Sequence, residues 1–286
     1  MIETQSSDDR ASIAEHVRAS VPRLTARERK AAQALLTNYP AAGLAPVAEF
    51  AERARVSAPT VLRFVAKLGF LGYPEFQRQL REELEAQLAS PLARRARAAR
   101  PRGLERPLID PFAEASIANL RGTFHHMSEE EFSAVVELLC DRKRSVHLLG
   151  GRFTDALARY FAAHLSLIRP DVRHVPSGIG VWRDQLLDIV RRDVLIVFDI
   201  RRYQDDVIEF ARDAAARGAE IVLVTDQWLS PLSRQARHVL ACRVAAPSHW
   251  DSSVALLATI EALIAAVTER LGRFAKKRIE KLEKLR

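Results

Sequence analysis

The residues best suited to chemistry lie in one run, Phe50-Ala51-Glu52-Arg53-Ala54-Arg55-Val56-Ser57-Ala58-Pro59-Thr60-Val61-Leu62-Arg63-Phe64. A guanidinium on the outer face of a helix reads guanine O6 and N7 bidentately, so Arg63 is the candidate base contact. Ala58, Pro59 and Leu62 are candidates for apolar contact with thymine methyl groups. Arg53, Ser57, Thr60 and Lys67 are read as phosphate contacts that set register. This chemistry needs two short helices crossing closely, with the start of the second in the major groove of double-stranded DNA. Ala51 is small enough for the crossing, and Val56, Val61 and Phe64 fall at core positions. Ser57 is expected to cap the second helix, and Pro59 sits in its first turn, where a missing N–H does no harm. Arg55 occupies the turn, where glycine is usual because φ is often positive. A generic helical hairpin with Arg63 and Lys67 on a solvated face is the alternative. Turn, cap, core spacing and outward basic residues together favour DNA binding.

A second set of residues suits an anion. Gly150-Gly151-Arg152-Phe153-Thr154 follows the apolar run Val146–Leu149 and leads into a helical segment. Glycines let backbone N–H groups approach an anion, and a helix N-terminus favours negative charge. Gly150, Gly151, Arg152 and Thr154 are therefore candidate ligand residues. Asp199-Ile200-Arg201-Arg202-Tyr203 follows the run Val194–Phe198. Arg201 and Arg202 offer guanidinium forks for phosphate or carboxylate, with Asp199 and Tyr203 beside them. The competing reading has these arginines solvated or paired to Asp205 and Asp206. Ser177, Ser248 and Ser252 are further candidates near strand ends. Thr225, Ser230 and Asp251 read first as turn or cap residues, and His174 and His249 as structural histidines.

Helical periodicity runs from Ser12 to Leu88. Thr25 and Glu28 have the spacing of a capping box before Arg27–Tyr39, and short helices are expected over Val47–Ala54 and Ser57–Leu68. Glu75–Leu88 reads as another helix. From Leu108 onward the pattern changes. Apolar runs at 146–149, 194–198, 221–224 and 239–241 suit strands buried on both faces. Helical segments at 154–168, 203–216 and 231–235 separate them, which argues for a parallel sheet covered by helices. Trp250–Gly272 reads as a long helix. The expected layout is an all-α domain over 1–89, an arginine-rich linker over 90–107, an α/β domain over 108–272 and a basic helical tail over 273–286.

Composition agrees with this. The 286 residues carry a formal net charge of +8 with 28% charged and 48% hydrophobic residues, a balance that supports real cores and acidic partners such as nucleic acid. Cys140 and Cys242 lie far apart among apolar neighbours, which points to free thiols rather than a zinc site. No apolar run reaches the roughly 20 residues of a membrane span, and the polar N-terminus lacks the apolar core of a signal peptide, so a cytoplasmic location is expected.

The run Leu24–Lys30, then Val47–Ala51, Val56–Phe64 and Lys67-Leu68-Gly69-Phe70-Leu71-Gly72-Tyr73-Pro74-Glu75-Phe76 resembles the N-terminal domain of the RpiR/MurR family. In that family the domain is joined to a C-terminal SIS (sugar isomerase) domain. The resemblance implies bacterial transcriptional regulation by homo-oligomers that respond to a phosphorylated sugar. With the residues above, the expected protein is a homodimer or tetramer on promoter inverted repeats, with no cofactor or metal, answering a small anionic metabolite such as a phosphosugar or sugar acid. It implies a serine-rich phosphate cradle where this chain has Asp199–Tyr203. Two alternatives are an aldose–ketose phosphosugar isomerase, for which Glu261, Glu269 and His249 would be candidate bases, and a non-specific DNA-binding protein.

Overall fold

A computed structural model describes residues 12–88, 109–176 and 182–285. The linker 90–107, residues 1–11 and Ser177 lie outside them.

The chain forms two compact units. The first holds helices α1 (Ile13–Ser20), α2 (Ala26–Thr37), α3 (Ala41–Leu44), α4 (Val47–Arg53), α5 (Ala58–Lys67) and α6 (Tyr73–Leu88). Two of the starts have a local side-chain cause. Ser12 with Glu15, and Thr25 with Glu28, make capping boxes at α1 and α2, the second as expected from the sequence. The apolar stripes of these helices converge on one core that includes Ile13, Leu35, Phe50, Val61, Phe64 and Phe76. Residues 227–229 and 244–252 group with this unit, as does α7 (Ile109–His126) as far as Gly122.

The second unit holds α8 (Glu129–Cys140), β1 (Val146–Gly150), α9 (Asp155–Ile168), β2 (Val172–His174), the short α10 (Trp182–Gln185), β3 (Val194–Asp199), α11 (Asp205–Ala216), β4 (Glu220–Asp226), β5 (His238–Cys242), α12 (Val254–Leu271) and α13 (Arg273–Glu283). Its five strands are all parallel in the order β2-β1-β3-β4-β5. Every residue of β1 and β3 is buried, as continuous apolar runs require when helices cover both faces. The parallel arrangement brings the turns after β1, β3 and β4 to the same end of the sheet, where open α/β sheets bind ligands.

Three expectations shift. The segment 231–235 forms only a 3-10 turn, Pro231–Arg234. The last long helix begins at Val254 rather than Trp250, and it breaks at Gly272, where φ is +48°, before α13. Helices α7 and α8 fill a stretch for which the sequence suggested no named element. Large apolar residues on α7 such as Ile109, Phe112 and Phe124 are exposed, so no single buried stripe marks the helix.

Candidate DNA-reading helix and effector loops

In α5 the side chains divide cleanly. Val61, Phe64 and Val65 are buried, and Leu62, Arg63, Ala66 and Lys67 are exposed. Arg63 Nη2 lies 3.5 Å from Thr60 Oγ1, within the weak end of hydrogen bonding. Ser57 takes the N-cap position, but its hydroxyl makes no cap bond; its Oγ lies 2.9 Å from Thr60 Oγ1. Thr60 is buried, so its hydroxyl positions Ser57 and Arg63 rather than reaching a phosphate as the sequence suggested. Pro59 is exposed in the first turn, and Ala58 packs partly on the core.

Two expected phosphate contacts are engaged inside the unit. Arg53 pairs with Glu49 one turn earlier. Lys67 Nζ lies 2.7 Å from Glu28 Oε2 and ties the end of α5 to the start of α2. Burial pushes the Glu28 carboxyl up, but its bonds with Lys67 and Thr25 outweigh this and hold it at about 2. Arg55 has φ of +52°, the left-handed conformation that its position in the turn calls for.

The turns after β1 and β3 meet. Gly151 N–H donates to Thr154 Oγ1 at 2.8 Å, and that hydroxyl donates to the Phe198 carbonyl at 2.7 Å. Arg152 N–H donates to Gln204 Oε1. Arg201 N–H donates to Asp226 Oδ2, Tyr203 hydroxyl to Asp226 Oδ1 at 2.9 Å, and Gln204 N–H to Asp199 Oδ1 at 3.3 Å. Ser230 Oγ donates to Asp199 Oδ2 and accepts from Leu232 N–H at 3.2 Å. Four backbone donors of these turns, the N–H groups of Gly151, Arg152, Arg201 and Gln204, are thus taken by side-chain oxygens of the same chain. Asp199 is buried, and that burial raises its carboxyl to about 7 against bonds from Ser230 and Gln204. Desolvation pushes the Tyr203 phenol well above its ordinary range.

The structure therefore gathers Gly150, Gly151, Thr154, Asp199, Arg201 and Tyr203 at one end of the sheet, with Arg201 buried and Arg152 and Arg202 exposed. Arg202 has φ of +66°. Ser248 accepts from Trp250 N–H at 3.2 Å and Ser252 N–H donates to the Val244 carbonyl at 2.9 Å; both belong to the first unit. His174 Nε2 lies 2.7 Å from Asp155 Oδ1. Sequence reasoning missed Gln204, whose partner Arg152 lies 52 residues away in the chain.

Residues 11–87 match the helix-turn-helix domain of the rpiR family, and residues 138–266 match the SIS domain. The chain belongs to the RpiR family. It is 26% identical over 271 residues to the HTH-type transcriptional regulator HexR of Pseudomonas aeruginosa, covering 90% of each chain. It is 24% identical over 272 residues to HexR of Escherichia coli, covering 90% of this chain and 88% of that one. Among solved structures, the sugar isomerase domain of an RpiR transcription factor from Sphaerobacter thermophilus superposes with a TM-score of 0.59 at 24% identity, over 63% of this chain and 99% of that domain. The Vibrio vulnificus NanR protein, complexed with ManNAc-6P, superposes with a TM-score of 0.54 at 17% identity over 95% of this chain and 97% of that one. This RpiR-family chain is a transcriptional regulator in architecture, with a helix-turn-helix ahead of a SIS domain. No helix among its described residues is long and apolar enough to cross a membrane.

Proposed function

We propose that the protein is a sequence-specific regulator of bacterial carbohydrate metabolism, acting in the cytoplasm as a homo-oligomer on inverted repeats and catalysing no reaction. The observation that carries the reading is the division of α5: an apolar face locked in the core and an opposite face presenting Leu62 and Arg63 to solvent. Arg63 reads a guanine, and Leu62 and Pro59 approach thymine methyl groups. Ser57 contacts the backbone, and Arg53 does so on exchanging Glu49 for phosphate.

The SIS unit answers a small anionic metabolite such as a phosphosugar or sugar acid. NanR, built on the same plan, holds a phosphosugar, which supports that class. Here the N–H groups of Gly151, Arg152, Arg201 and Gln204 are occupied, and the charge that attracts the effector resides on the exposed Arg152 and Arg202. A carboxylate or phosphate on those forks changes the balance between DNA-competent and DNA-incompetent states by binding them unequally. The isomerase alternative finds less support: Glu261 on α12 is engaged by the Tyr160 hydroxyl at 3.1 Å.

Selection of genomic DNA fragments by the purified protein tests the reading. A short palindrome should be enriched, and Arg63→Ala should lose about 1–3 kcal/mol of affinity for it and relax its sequence preference. Retention of DNA without any shared sequence would favour non-specific binding instead.

A further inference from the structure

The helix-turn-helix stretch 47–69 carries four cations, Arg53, Arg55, Arg63 and Lys67. Three have intramolecular partners: Glu49 for Arg53, Thr60 for Arg63 and buried Glu28 for Lys67. Arg55 is exposed, and its guanidinium has no partner among the described residues. It is also the residue of the motif with the least comfortable backbone. Its φ of +52° suits glycine or asparagine and disfavours most other residues with a β-carbon. That conformation is built into the turn, since Arg55 N–H donates to the Glu52 carbonyl at 2.9 Å and Val56 N–H to the Ala51 carbonyl at 3.0 Å.

A strained position that holds a long, unpartnered cation points to a use outside the fold. The surroundings narrow that use. Arg55 stands two residues before Ser57, the N-cap of α5, and the Ser57 hydroxyl is directed to Thr60 instead of the helix end. The end of the helix that enters the groove thus combines a positive dipole with a free guanidinium, and a backbone phosphate satisfies both.

We infer that Arg55 binds a DNA backbone phosphate beside the groove entered by α5. The assignment rests on the DNA-binding reading above and adds to it a contact at the turn itself. It further implies that Arg55 serves affinity at the expense of stability, so the two properties respond differently to substitution.

The test uses the full chain and a mixed-sequence duplex, with binding followed by fluorescence anisotropy over a salt series and folding followed by thermal melting. Glycine and asparagine both accept the left-handed conformation without a charge, and lysine keeps the charge. Arg55→Gly and Arg55→Asn should melt at or above the wild-type temperature. Both should bind several-fold more weakly at low salt, with the slope of log K against log salt reduced by about 0.9 for each arginine removed from contact. Arg55→Lys should retain the wild-type slope. Wild-type slopes in both uncharged variants would overturn the proposal, as would an equal loss of slope in Arg55→Lys. A wild-type chain whose binding to duplex is absent or insensitive to salt would overturn the DNA reading itself, a result visible without any Arg55 variant.

Discussion

Single side chains in the helical unit serve two purposes at once, and Glu28 shows how closely these are coupled. Its carboxylate accepts from Thr25 N–H at 2.7 Å and from the Thr25 hydroxyl at 2.9 Å, and it pairs with Lys67 across 39 residues. The capping half of this arrangement was legible, because serine or threonine followed three residues later by glutamate is a local pattern. The pairing half was not, since only the packing of α2 against α5 brings Lys67 to the cap. Lys67 consequently looks in the sequence like a free DNA contact. Glu28→Ala removes the acceptor and leaves Thr25 N–H and the lysine without it. The expected loss is about 1–3 kcal/mol of stability, measured by urea unfolding of the full chain. A neutral result would mean that water replaces the carboxylate at the helix end.

At the scale of elements, the turn between β1 and α9 is shaped by how closely the turn after β3 approaches it. A β-carbon on Gly151 would fall on Gln204 Oε1, and one on Gly150 would come within 2.5 Å of the backbone N of Asp155. The glycines were legible as places of close approach, but what approaches was not. Family likeness suggested a phosphate, whereas the glutamine of the neighbouring turn takes that place. The two glycines therefore differ in a testable way. Gly151→Ala should be destabilising alone and partly rescued by Gln204→Ala, with a coupling of about 0.5–3 kcal/mol in a double-mutant cycle of thermal or urea unfolding. Gly150→Ala should be destabilising with no rescue by Gln204→Ala, because backbone atoms cannot be trimmed away. Strictly additive effects at Gly151 and Gln204 would show that the glutamine moves aside freely. Strands β1 and β3 were legible at almost full length, since a parallel sheet covered on both faces leaves continuous apolar runs, whereas β4 and β5 were legible only in their middles and the short, partly exposed β2 left no such run. The cluster of Asp199, Asp226 and Ser230 was not, because polar residues after strands also cap helices, and only the register of β3 beside β4 distinguishes the two roles.

Across the whole molecule, each unit buries a carboxyl whose protonation the fold favours. In the helical unit Glu83 accepts from Ile13 N–H at 2.8 Å and from the Tyr39 hydroxyl, and burial outweighs those bonds to raise its carboxyl to about 7. In the SIS unit burial raises Asp199 to about 7. Unfolded, the same groups titrate near 4.5 and 3.8. A carboxyl raised on folding contributes stability that is fully present below its unfolded value and is lost as pH rises through its folded one. Glu28 acts in the opposite sense: held at about 2, it contributes stability above 4.5 that is lost as pH falls toward 2. The three groups together place their greatest contribution in mildly acidic solution, and the stability they supply should decline as pH rises from about 5 to about 8. Glu83→Gln and Asp199→Asn should each flatten that decline, since each removes one group that must otherwise ionise in a buried place. If neither substitution alters the slope, water or a shifted partner already solvates these carboxylates in the folded chain. Because Asp199 also accepts from Gln204 N–H, its ionisation has a consequence at the candidate effector loops. A negative charge there opposes an anionic ligand, so affinity for the proposed effector should weaken over the same rise in pH, and Asp199→Asn should remove that dependence while leaving DNA affinity in the absence of effector unchanged.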